Sequence, residues 1–108
     1  MSKIIYNKLV RDRIPEIIES AGKQYETEVM SEDEYVLALR QKLVEEALEA
    51  QKADLESIAI EIADLYEVID ALLAIHGLNN EEIIALQAKR RTERGAFGKR
   101  LKLLWSGT

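Results

Sequence analysis

No cysteine occurs among the 108 residues. That absence excludes a disulfide framework, a thiolate zinc site and a cysteine nucleophile. Histidine occurs once, at His76, so a Ser-His-Asp arrangement or a multi-histidine zinc site needs more than this chain offers. There is one proline and there are five glycines, so few chain breaks are signalled. No phosphate loop of the GxxxxGK[ST] kind is present. Gly95-Ala-Phe-Gly98 is too short for one and follows no strand. The opening residues lack the charged-then-apolar pattern of an export signal, and no apolar run approaches the roughly 18 residues of a membrane span. The expectation is one cytoplasmic domain over residues 1–108, with no membrane partner.

What is present suits a helix-rich globular protein: 47% hydrophobic and 32% charged residues, with a formal charge of −5. The charge is uneven. Lys89, Arg90, Arg91, Arg94, Lys99, Arg100 and Lys102 face a single acid, Glu93, in the same stretch.

Local signals divide the chain. Pro15 suits the first turn of a short helix near Ile14–Ala21, and Gly22 stops it. Lys23–Met30 alternates enough for a short strand or an extended link. Ser31 and Glu34 form a capping-box pattern that starts a helix with the apolar stripe Val36, Leu39, Leu43, Ala47 and Ala50. No Gly or Pro intervenes before His76, so one unbroken helix of about 45 residues is an open alternative. The apolar phase opposes it. Leu55, Ile58, Ile62, Leu65, Ile69 and Leu72 keep a 3-4 spacing that, carried backwards, meets Gln51, Gln41 and Glu34. The phase slips near 51–54, where Asp54 is able to cap a new helix. That Leu55–Ile75 helix is apolar on most of its circumference, which predicts a partner subunit. His76 reads as a helix-end cap beside Gly77 rather than a base. Asn79 or Asn80 caps a last helix, Glu81 to about Glu93, ending at Gly95.

The stretch Glu45–Asp64 carries the chemistry. Glu46/Glu49 and Glu61/Asp64 are two acidic pairs at i,i+3, so each pair occupies one helix face. Both cross-pairs, 46 with 64 and 49 with 61, share a midpoint at Leu55. A hairpin turning near Ala53–Leu55 therefore brings four carboxylates to one level. Such carboxylates repel and raise one another's pKa. A hard cation, Mg²⁺ or Mn²⁺, relieves that repulsion. Acidic pairs at this spacing also occur on solvated faces, but Glu61 and Asp64 lie in a very apolar helix, where charges need partners. Mg²⁺ held by carboxylates commonly meets phosphate oxygens. Basic groups for such a substrate are available in Lys8, Arg11 and Arg13 and in the Lys89–Arg100 stretch.

The pattern Lys42-Leu-Val-Glu-Glu-Ala-Leu-Glu49 followed by Glu61-Ile-Ala-Asp64 resembles the EExxE…ExxD signature of the all-α nucleoside triphosphate pyrophosphohydrolases, which include MazG-like proteins, dimeric dUTPases and phosphoribosyl-ATP pyrophosphohydrolase. Tyr6-Asn-Lys-Leu-Val-Arg-Asp-Arg-Ile-Pro15 and Arg94-Gly-Ala-Phe-Gly-Lys-Arg100 are similar to a small single-module, phosphoribosyl-ATP pyrophosphohydrolase-like branch. The resemblance covers most of the chain. It implies an all-α fold in which a helical hairpin completes a four-helix-type bundle by oligomerising, as a dimer or tetramer. It implies Mg²⁺-dependent cleavage between the α- and β-phosphates of a nucleotide. Glu46, Glu49, Glu61 and Asp64 are then metal ligands. Glu45 is a group behind the ligands, a ligand to a second metal or a water-orienting base. Lys8, Arg11, Arg13, Arg94, Lys99 and Arg100 are the candidates for phosphate contact. The acidic pairs lie closer together than in the superfamily at large, and the chain carries one such module, so the substrate stays open. Two rivals stand beside this reading: a non-catalytic helical dimerisation module, and a nucleic-acid binder using Lys89–Lys102. The second is disfavoured by the chain's overall acidity.

Overall fold

The computed structural model describes residues 2–108, and its order is α1 (Ile14–Ser20), α2 (Glu32–Lys52), α3 (Ile58–Ile75) and α4 (Asn80–Arg94). No strand occurs among the described residues, so Lys23–Met30 is an extended link. No described helix is long and apolar enough to cross a membrane.

Helix ends follow local chemistry. Pro15 lies in the first turn of α1, and Gly22 leaves it at φ +75°. The Ser31 hydroxyl accepts the Glu34 N–H at 3.2 Å and starts α2, whose first turn carries Glu32, Asp33 and Glu34 at the positive end of the helix dipole. No return bond from Glu34 to the Ser31 N–H is present among the described residues, so only half of the capping box forms. Asn79 caps α4 by accepting the Glu82 N–H at 2.8 Å. His76 is the C-cap of α3, followed by Gly77 at φ +65°.

The hairpin turns where the apolar phase slips. Asp54 Oδ1 accepts from the N–H of Glu56 (3.1 Å), the N–H of Ser57 (2.9 Å) and the Ser57 hydroxyl (2.9 Å). Those bonds occupy residues 54–57, so α3 begins at Ile58 rather than at Leu55. Leu55 is left 95% exposed at the tip. The midpoint of the turn nonetheless falls at residue 55, halfway between the end of α2 and the start of α3.

Only α2 and α3 pack extensively on each other among the described residues. The buried residues are Ala38 and Leu39 of α2 and Val68 of α3, and Ala38 also lines a hollow beside Asn7, Lys8 and Leu9. On α2 four of the five residues of the expected stripe, Val36, Leu39, Leu43 and Ala50, are covered, with Ala38, Lys42 and Glu46 beside them, and the fifth, Ala47, is exposed. On α3, Ile62 is 41% exposed, because one partner helix covers only one arc of an apolar cylinder. The chain extends 62 × 34 × 28 Å with a radius of gyration of 18.7 Å. A compact domain of this length has about 13 Å.

Candidate metal centre

Three of the four carboxylates singled out by spacing converge. One oxygen each of Glu46, Glu61 and Asp64 lies within 4.8 Å of the others. Antiparallel packing about residue 55 produces this, by setting Glu46 of α2 level with Asp64 of α3. Glu49, three residues after Glu46, is exposed. It stands outside that set of three but still acts on Glu61.

The electrostatics are uneven around the cluster. Arg11 Nη2 donates to Asp64 Oδ1 at 2.7 Å. Lys42, 18% exposed, lies 3.7 Å from Glu46 and 3.5 Å from Glu45. Lys8 Nζ donates to Glu45 Oε1 at 2.9 Å. Glu61 has no ion pair among the described residues. Its carboxyl is pushed above the usual range, first by partial burial and then by Asp64, Glu49 and Glu46. Glu45 moves the other way: the Lys8 hydrogen bond holds its carboxyl below the usual range, with Lys42 adding to the effect. The same bond raises Lys8.

The basic candidates separate in space. Lys8 and Arg11 reach the hairpin from the segment before α1. Arg13 instead pairs with Glu16 of its own helix at 3.0 Å. Arg94, Lys99 and Arg100 line an open concavity formed by residues 94–101 at the end of α4. No ion pair links them to the carboxylates among the described residues. Lys42 opens the signature pattern, but the motif gave it no role. Its signal was present, since it stands at i,i+3 and i,i+4 to Glu45 and Glu46, the spacing of helical ion pairs.

The donor set fits a hard divalent cation. All three groups are carboxylates, the hard oxygen donors that such a cation takes, each with one oxygen within 4.8 Å of the others. Glu61 supplies a further fit, being an acid among acids with no protein cation of its own.

Comparison with known proteins adds little. No family model matches the sequence, and no solved structure matches it. A protein of Mycolicibacterium smegmatis described as uncharacterized is 46% identical over 54 residues, which cover 50% of this chain and 55% of the relative. The chain thus spans about half the length of the curated relative it matches, and that relative's description carries no activity to it.

Proposed function

We propose that the protein is a Mg²⁺-dependent nucleotide pyrophosphohydrolase that cleaves the α–β phosphoanhydride of a nucleoside triphosphate or a phosphoribosyl-ATP-like substrate. The observation that carries this reading is the convergence of Glu46, Glu61 and Asp64 within 4.8 Å, with Glu61 lacking any cationic partner among the described residues. The signature resemblance supports it. Glu46, Glu61 and Asp64 would hold the cation, and Glu49, the fourth ligand that the signature implies, would have to turn inward to join them. A bound Mg²⁺, or Mn²⁺ in its place, supplies charge neutralisation on phosphate and activation of an attacking water. Glu45 stays ionised against Lys8 and Lys42. That suits orienting a water more than accepting its proton, since a general base works best with a pKa near the operating pH. Lys8 and Arg11 are the phosphate-binding groups nearest the centre. Arg94, Lys99 and Arg100 join them if the segment after α4 folds over a substrate.

The proposal includes a homo-oligomer, because the exposed apolar arc of α3 needs a cover and a second copy offers the same arc. The proposed setting is the cytoplasm. A second reading, a non-catalytic dimerisation module, is favoured by one observation: Lys8, Lys42 and Arg11 already neutralise much of the acidic patch. A screen for pyrophosphate release over canonical and modified nucleoside triphosphates and phosphoribosyl-ATP separates the two. The expected result is release with Mg²⁺ that chelation abolishes. No release from any nucleotide by folded, assembled protein refutes the enzyme.

A further inference from the structure

We propose that Arg11 is a built-in competitor of the cation: it neutralises Asp64 in the cation-free protein and passes to an anionic ligand once a divalent cation takes Asp64. The inference rests on the metal reading above and describes how that site is regulated.

Both arrangements claim Asp64, and more loosely Glu46, which Lys42 approaches at 3.7 Å. Asp64 contributes to the three-carboxylate set, and it accepts from Arg11 Nη2 at 2.7 Å. A guanidinium at that distance opposes an arriving cation and must move for Asp64 to serve it fully. The exchange costs little, because the Arg11 and Asp64 side chains are 56% and 34% exposed and solvent screens their attraction.

The surrounding chain suits a side chain that moves while its backbone stays. The Arg11 carbonyl accepts the Ile14 N–H at 3.1 Å, which ties it to the start of α1. Lys8, three residues earlier, is held on Glu45 at 2.9 Å. Glu45 lies outside the three-carboxylate set, so this mooring does not compete for the cation. When Arg11 leaves Asp64 it therefore remains beside the centre with its donors unpaired. A planar donor fork of that kind matches phosphate oxygens. Cation binding and phosphate binding are then linked, and each strengthens the other.

Isothermal titration of Mg²⁺ into wild type, Arg11→Gln and Arg11→Lys tests this, each with and without inorganic phosphate as the probe anion. Circular dichroism verifies the fold. Without phosphate, Arg11→Gln is expected to bind Mg²⁺ about five-fold more tightly than wild type or better. Arg11→Lys, which keeps the cation, is expected to stay near wild type. Phosphate is expected to tighten Mg²⁺ binding to wild type and to do so far less for Arg11→Gln. Equal or weaker Mg²⁺ affinity in Arg11→Gln overturns the competition while leaving the metal centre standing. A phosphate effect that Arg11→Gln retains in full overturns the transfer. Absence of Mg²⁺ binding to every protein removes the metal reading itself, and this inference with it.

Discussion

Replacing Ile62 with aspartate should break the proposed homo-oligomer while leaving the α2–α3 hairpin folded. Ile62 is 41% exposed and Tyr66, one turn on, is 65% exposed. With Ala59 and Ala63 they form an apolar strip along α3. The isolated chain exposes 10237 Å². A compact monomer of 12.3 kDa exposes about 6100 Å². The surplus is roughly 4100 Å², part of it from the segments outside the helices, before α1, between α1 and α2 and after α4. The exposed apolar strip of α3 contributes to that surplus and is the face that the proposed interface would cover. Complete burial of an isoleucine side chain contributes ~1.5–3 kcal/mol, so covering the exposed part of Ile62 contributes about 1 kcal/mol per copy. An isologous interface counts it twice. Ile62→Ala should therefore weaken a dimer by about 2 kcal/mol, roughly 30-fold in Kd. Ile62→Asp adds an unpaired carboxylate to the same seam, costing a further ~3–5 kcal/mol. Sedimentation equilibrium at micromolar concentration, with circular dichroism as the fold control, reads the result. A wild type that sediments as a folded monomer refutes the reasoning. So does an Ile62→Asp variant as fully associated as wild type.

Two further outcomes follow from the core and the charges. Leu39, 3% exposed, anchors one of the few buried contacts, so Leu39→Ala should lower the unfolding free energy by about 2–5 kcal/mol in urea melts. In metal-free buffer, Glu61 and Glu45 should give pH dependences of opposite sign. The folded pKa of Glu61 is raised, so its ionisation removes stability as pH climbs from 4.5 through that folded value. Glu61→Gln should thus gain on wild type over that rise. The folded pKa of Glu45 is lowered, so its contribution is complete above 4.5 and lost as pH falls through the folded value. Glu45→Gln should be less stable than wild type near neutrality and converge on it in acid. Urea melts across the acid range that show the same slope for both variants contradict the assignment.

Features written in a few neighbouring residues were legible in the sequence. Ser31, Asn79, Gly22, Gly77 and Gly95 mark helix ends, and each does so through a bond or a backbone angle of its own. The hairpin was legible because the slip in apolar phase and the capping chemistry of Asp54 coincide. Its register followed, so the level pairing of Glu46 with Asp64 needed no structure. Rotation of α2 about its own axis was not legible. Glu46 is covered while Glu49, one turn on, is exposed, and the spacing of the two acids alone does not make that choice. Nor was the partnership of Arg11 with Asp64, which joins residues 53 apart. Local spacing carries no information about such a pair. The sequence marked Arg11 as basic and near an anionic site, while the structure puts it on the acid itself.

The proposed metal centre is tested most directly by thermal melts of wild type and Glu61→Gln, each with and without Mg²⁺. If Glu61 shares a cation, its charge is a liability in the metal-free protein, and the neutral amide should leave that form as stable as wild type or more so. Mg²⁺ at a hundredfold excess over its Kd should then stabilise wild type by about 2.7 kcal/mol, a rise in Tm on the order of 10 °C. The variant, having lost a ligand, should respond much less. A metal-free Glu61→Gln protein less stable than wild type, with an equal response to Mg²⁺, would contradict the account.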